Sequence, residues 1–162
     1  GYDDFLVGAN DHDHAYDQDG AAYLIYGRPY GDFAAENFLS AADAIFYGAS
    51  ENAGFADDIE GIGDINGDDL ADFAIGAYLS DYTGTNRGLL ITMLGGSYSG
   101  SYDAETEASF LLRGQSNNHR VGQGITRAGD RNGDGLEDFW VGSYGYNSYA
   151  GAILLFEGRE LD

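Results

Sequence analysis

The chain has no cysteine and no lysine, and only one proline, one methionine and one tryptophan. Without cysteine it can have no disulfide framework, thiolate metal site or cysteine nucleophile. Its 7 basic residues, all arginine, stand against 28 Asp and Glu, for a formal charge of −21. Phosphate contacts need a basic surface, so nucleic acid is not the expected partner. No apolar run approaches the ~20 residues of a membrane-spanning helix, and the first residues show no signal-peptide pattern. A convincing amphipathic helix is also missing. The nearest, residues 32–46 (DFAAENFLSAADAIF), is expected to give at most a helical turn, because its AIF falls where a repeated copy reads as a strand.

What is present is a chain of 162 residues, 43% of them apolar, which is enough for one domain with a core. So large a net charge repels itself unless salt screens it or cations bind. Calcium is one remedy, and a saline habitat is another.

The sequence is a repeat with a period of about 66 residues. DINGDDLAD (64–72) reappears as DRNGDGLED (130–138). DFLVGA (4–9), DFAIGA (72–77) and DFWVGS (138–143) correspond, as do GAAYLIYG (20–27), GLLITMLGG (88–96) and GAILLFEG (151–158). AIFYG (44–48) matches SFLLRG (109–114), and GFADDIEGIGD (54–64) matches RVGQGITRAGD (120–130). Each period holds four short candidate strands between Gly, Asp, Asn and Ser turns, and the 26 glycines and 13 tyrosines favour strands and tight turns over helices. Four antiparallel strands are the unit of a β-propeller blade.

The expected fold is therefore all-β: strands two to four of one blade (1–53), a complete blade (54–119), and strands one to three of a third (120–162), about ten strands in all. The opening GYDDFLVGAN reads as a strand already under way, and no fourth strand follows GAILLFEG. Propellers close with about four to eight blades. This segment is expected to belong to a larger propeller, or to complete one with homo-oligomer subunits.

D-x-N-x-D-x-L-x-D places side-chain oxygens at positions 1, 3, 5 and 9, and position 7 can offer its carbonyl. Hard oxygen donors around a glycine turn suit Ca2+, whereas Mg2+ takes fewer protein ligands. An EF-hand would need Glu at position 12 and flanking helices, but position 12 is Ile75 or Val141 within an apolar strand. Asp and Asn also populate ordinary turns, yet turn chemistry does not call for three carboxylates twice over.

The two loops and the strands that follow them resemble the FG-GAP repeat of the integrin α-subunit β-propeller and its bacterial relatives. DRNGDGLEDFWVGS (130–143) is similar throughout, and DINGDDLADFAIGA (64–77) has Asp69 where the pattern has glycine. The FG element is weaker, represented by Gly54-Phe55 and Val121-Gly122. The resemblance implies calcium ligands Asp64, Asn66, Asp68, the Leu70 carbonyl and Asp72, and likewise Asp130, Asn132, Asp134, the Leu136 carbonyl and Asp138. The first copy keeps only Asp4, with Tyr2 at the carbonyl position, as an incomplete third site. A structural role for the metal is implied, in an extracellular or cell-surface binding or adhesion protein. An accessory part of a secreted, phospholipase-like hydrolase is the alternative.

Other groups keep two readings. Loop NDHDHAYDQDG (10–20) is either a solvated hairpin tip or a second metal site, and its counterparts keep none of the acid and histidine pattern. Tyr78, Tyr82, Tyr144, Tyr146 and Tyr149 either pack between blades or offer a contact surface to protein or glycan. His119 is expected in a surface turn and Trp140 in the core. GSYSG (96–100) has tyrosine where a nucleophile elbow has serine, and HExxH is absent. A glycosidase-like carboxylate pair has no obvious candidates beyond the acids of the loops. No enzyme activity is expected.

Overall fold

In the computed structural model, residues 2–29, 32 and 41–160 are described. The three copies of Asp-Phe-x-x-Gly-(Ala/Ser) each give a strand: β1 (Phe5–Ala9) at the edge of its sheet, and β5 (Asp72–Ala77) and β10 (Asp138–Ser143) inside theirs. β1 pairs antiparallel with β2 (Ala21–Ile25), and β2 with β3 (Ala44–Tyr47). The second sheet runs β4-β5-β6-β8, from β4 (Phe55–Gly63), β6 (Leu89–Met93) and β8 (Phe110–Arg113). The third runs β9-β10-β11, from β9 (Val121–Gly129) and β11 (Ala152–Phe156). The chain is thus all-β, with antiparallel sheets that do not close into a barrel, as a partial propeller requires.

The sheets stack through the two-residue period of their strands. Phe73, Ile75, Leu89, Ile91 and Met93 of the second sheet pack with Ala22, Leu24 and Phe46 of the first. Ala74 and Leu90 turn the other way, onto Val121, Ile125, Phe139 and Val141 of the third sheet. β5 and β6 are buried on both faces, which is why they read as continuous apolar runs. β4 lies against both β1 and β9, so the first strand of the second blade meets the second strand of the preceding blade and the first strand of the next. That approach explains one glycine of the motif: a Cβ at Gly8 would collide with the Ala56 carbonyl oxygen, and one at Gly76 with that of Gly122.

Two expectations need correction. The described residues form eleven strands rather than ten, because the connection between β6 and β8 contains β7 (Gly100–Asp103), followed by one turn of helix, α1 (Ala104–Glu107). β7 leaves its own sheet and adds in parallel to β3 of the first. Its anchors are aromatic: the Tyr98 and Tyr102 rings lie 5.2 and 5.4 Å from Phe46, and the Tyr98 N–H donates to the Tyr26 hydroxyl at 2.6 Å. Second, Trp140 is only half-buried, with the Arg131 guanidinium 5.9 Å from its ring. It occupies the place of Ala74, but among the described residues no sheet covers that face of the third blade, and its neighbours Ile153 and Leu155 are exposed. The helical turn considered for 32–46 lies largely outside the described residues, while AIF (44–46) lies in strand β3, as its repeat partner indicated.

Candidate functional site

The acidic loops join β4 to β5 and β9 to β10, and most of their hydrogen bonds correspond. Asp64 Oδ1 accepts the Gly67 N–H at 2.7 Å and its Oδ2 accepts the Asp69 N–H at 2.8 Å. Asp130 accepts the Gly133 and Gly135 N–H groups at 2.7 and 2.9 Å. Asn66 Oδ1 takes the Asp68 N–H and Asp68 Oδ1 the Leu70 N–H, and Asn132 and Asp134 repeat both bonds with Asp134 and Leu136. The wrap needs left-handed backbone, with Gly67 at φ 83° and Gly133 at φ 81°. Where the third blade has Gly135 at φ 93°, the second holds Asp69 at φ 64°, a strained replacement.

The ninth-position acids behave differently from the other three. Asp72 and Asp138 are buried, with 1% and 0% of their surface exposed. Asp72 accepts the Ile65 N–H at 2.8 Å and the Gly95 N–H at 2.6 Å. Asp138 accepts the Arg131 N–H at 2.8 Å and the Gly158 N–H at 2.9 Å. Asp4, whose loop is incomplete, keeps half of this arrangement by accepting the Gly27 N–H at 2.7 Å. The acid therefore staples the second strand of each blade to the glycine just after the third. Gly27, Gly95 and Gly158 bond to the acids of the candidate site and were missed by motif reasoning. Their signal was the glycine ending each third-strand copy, and a Cβ there would fall on the residues around the acid, such as Leu70 Cβ at 2.5 Å for Gly95 and Leu136 Cβ at 2.7 Å for Gly158.

Electrostatics separate the same two classes. Burial alone would raise the Asp64 carboxyl, but N–H groups of Gly67, Asp69, Asn66 and Asp68 outweigh it and hold the pKa below the usual range. The Gly135 N–H, helped by those of Gly133, Asp134 and Asn132, does the same for Asp130. Asp72 is pushed up, by burial first and then by the charges of Asp68 and Asp64, against the pull of its two N–H donors. Three carboxylates thus feel one another across one loop. As donors, Asp64, Asn66 and Asp68 offer the hard oxygens that calcium takes, and they fit it in kind. Among the described residues, no three His, Asp or Glu side chains are drawn together tightly enough to form a ready-made metal group. Backbone N–H groups hold the inner oxygens of Asp64 and Asp130.

The loop at 10–20 is organised by an acid that the repeat could not reveal. Asp19, fully buried, accepts the N–H groups of His14, Ala15 and Tyr16 at 2.9, 2.7 and 3.0 Å. Burial opposes ionisation there, but these donors and the nearby His14 hold its pKa below the usual value. The His14 ring stacks on Tyr47 at 3.7 Å and His12 lies 5.6 Å from the same ring, so the histidines serve packing. Asp13 closes the turn by accepting the Gln18 N–H at 2.8 Å, as Asp81 does with Asn86 at 2.6 Å in the next blade. The counterparts therefore share one acid of the pattern after all.

Of the tyrosines, Tyr78 is half-buried against Gly54, while Tyr82, Tyr144, Tyr146 and Tyr149 are exposed. Arg113 lies 4.2 Å from the Tyr82 ring, and His119 sits 5.2 Å from Tyr146, so His119 is part of an aromatic cluster.

No protein-family model matches the chain. Over 148 residues it is 32% identical to integrin alpha-E of Mus musculus. The match takes in 88% of this chain and 12% of that protein, so the chain spans about an eighth of the relative's length. The similarity supports an integrin-α-like relation for this segment.

Proposed function

We propose that this chain is part of an FG-GAP-type β-propeller in an extracellular binding or adhesion protein, stabilised by calcium in its two acidic loops. Asp64, Asn66, Asp68, the Leu70 carbonyl and Asp72 would hold one ion, and Asp130, Asn132, Asp134, the Leu136 carbonyl and Asp138 the other. The observation that carries this reading is the duplication: two loops with the same donor side chains and mostly the same hydrogen bonds, each leading into the corresponding strand. In each, Asp72 or Asp138 anchors the base and the three outer side chains supply oxygens. A cation relieves their repulsion and pins the hairpin, so binding adds to folding stability.

The integrin-like similarity, which takes in most of this chain, supports the adhesion-type reading. The remaining blades, in the same polypeptide or in a second copy, are the proposed structural partners. The half-buried Trp140 and the exposed Ile153 and Leu155 support this, since Ala74 and Leu90, the counterparts of Trp140 and Ile153, are covered by the following sheet. The blade limits proposed are 1–53, 54–119 and 120–162. The test is differential scanning calorimetry in calcium and in chelator. At a hundredfold excess over Kd, each occupied site adds about 2.7 kcal/mol, or roughly 5 to 10 °C in melting temperature for a domain of this size. A melting temperature indifferent to calcium would refute the proposal.

A further inference from the structure

Asparagine followed by glycine occurs twice in the chain, as Asn66-Gly67 and Asn132-Gly133, at the same two positions of the two acidic loops. This dipeptide has a reaction of its own. The backbone nitrogen that follows an asparagine can attack the side-chain amide carbon and close a five-membered ring, and glycine alone puts no Cβ in the way of that approach.

Three atoms of the reaction are already held in each loop. The attacking nitrogen, Gly67 N, donates its hydrogen to Asp64 Oδ1 at 2.7 Å, and Gly133 N donates to Asp130 Oδ1 at 2.7 Å. The oxygen on which charge develops, Asn66 Oδ1, accepts the Asp68 N–H at 3.0 Å, and Asn132 Oδ1 accepts the Asp134 N–H at 2.9 Å. The leaving nitrogen, Nδ2, donates to Asp68 Oδ2 at 2.9 Å in one loop and to Asp134 Oδ2 at 2.8 Å in the other. Both glycines are exposed, so water has access.

The other described asparagines, Asn10, Asn52, Asn86, Asn117, Asn118 and Asn147, all precede residues with a Cβ. After Asn117 and Asn118 the next N–H goes to a carbonyl oxygen, from Asn118 to Thr85 at 2.8 Å and from His119 to Ser116 at 3.2 Å. A carbonyl does not take up that proton. A carboxylate within hydrogen-bond reach does.

We infer that Asn66 and Asn132 are sites of self-deamidation, with Asp64 and Asp130 as the bases. As Gly67 N bonds to Asn66 Cγ, its proton passes to Asp64; the Cγ–Nδ2 bond then breaks and Nδ2 leaves with that proton as ammonia. Water, the one co-reactant, opens the ring at either carbonyl, giving aspartate or, with the backbone routed through the side chain, isoaspartate. The Asp68 N–H stabilises the developing oxyanion, and the fixed geometry makes ring closure a unimolecular step between oriented groups. Asn132, Gly133, Asp130 and Asp134 repeat the same roles. Either product rewrites the third position of the loop: aspartate adds a negative charge beside the existing carboxylates, and isoaspartate adds a methylene to the backbone and shifts the alternation that follows. The inference goes beyond the calcium reading and does not rest on it.

The test is incubation of the full chain at neutral pH in chelator, with deamidation read at each asparagine by peptide mass spectrometry and isoaspartate told from aspartate by its fragmentation. Asn66 and Asn132 are expected to react at least about tenfold faster than Asn86, Asn117 and Asn118. In Asp64→Asn, which keeps an oxygen acceptor but removes the base, the rate at Asn66 should fall by about tenfold or more while Asn132 keeps its own. Asp130→Asn should do the reverse. Unfolding the wild-type chain in urea should slow both sites, which decides the matter if a variant fails to fold. No reaction at either site, a faster reaction in urea, or an unchanged rate at Asn66 in folded Asp64→Asn would each overturn the inference.

Discussion

Residues 11–19 and residues 64–72 are both acid-rich turns with a buried aspartate as the last residue, yet they spend their acids differently. In the first, Asp19 collects three successive N–H groups, Asp13 closes the turn, and the histidines pack on Tyr47. In the second, Asp72 staples the loop to the end of the third strand, while Asp64, Asn66 and Asp68 line up at alternating positions toward solvent. An acidic turn can therefore be complete as folded, or organised at its base with oxygens to spare. Composition does not distinguish the two, but the positions of the N–H donors do.

The sharpest way to break this comparison is to remove the buried acids. Asp19→Ala orphans three N–H groups, and Asp138→Ala orphans two. Each unsatisfied group costs about 1 to 3 kcal/mol, so losses of roughly 4 and 3 kcal/mol are expected in chemical denaturation. The Asp19→Ala loss should be the same in calcium and in chelator, whereas the Asp138→Ala loss should grow when calcium is present. A calcium-dependent loss at Asp19 would merge the two kinds of turn.

Asp134→Ala touches only the outer oxygens. It should lower stability by about 2.7 kcal/mol at a hundredfold calcium excess over Kd and change little in chelator. Equal losses under both conditions would mean that the outer acids serve the turn alone.

A smaller effect is expected with pH. The folded pKa of Asp19 lies below its unfolded value, because N–H donation outweighs burial. Its contribution is therefore fully present above about pH 4, near the ordinary aspartate value, and is lost as pH falls through the folded value. The stability gap between the wild-type chain and Asp19→Asn, followed by urea unfolding in chelator from neutral pH downward, should close in that window. A constant gap would contradict the assignment. The smallest effect belongs to Asp69→Gly, which replaces a left-handed aspartate at φ 64° by the residue the third blade uses. A gain of about 1 kcal/mol is expected, and a loss would show that the Asp69 side chain contributes more than its strain costs.

Much of the architecture was legible because the repeat prints each strand more than once. β5 and β6 read as unbroken apolar runs since both faces are buried, and Gly8 and Gly76 stand out because the next blade's backbone touches them. β7 was not legible. Its strand is short and mostly exposed, and its pairing comes from the open edge of β3 and from a tyrosine cluster assembled from two sheets. Trp140 was misread for a similar reason: the pattern marks it as facing a neighbouring sheet but does not say whether that sheet is there. In the candidate site, the acids and their spacing were visible. Their division into buried staples and outer donors was not, because it depends on N–H groups as distant in sequence as Gly95 and Gly158. Asp19 escaped because its repeat counterpart is Arg87, so no second copy drew attention to it.

The most direct test of the account is the metal content of the folded chain, read by native mass spectrometry in calcium-containing volatile buffer. Two calcium ions per chain, falling to one in Asp134→Ala and to none in Asp68→Ala with Asp134→Ala, is the predicted result. A folded, calcium-free wild-type chain would contradict it.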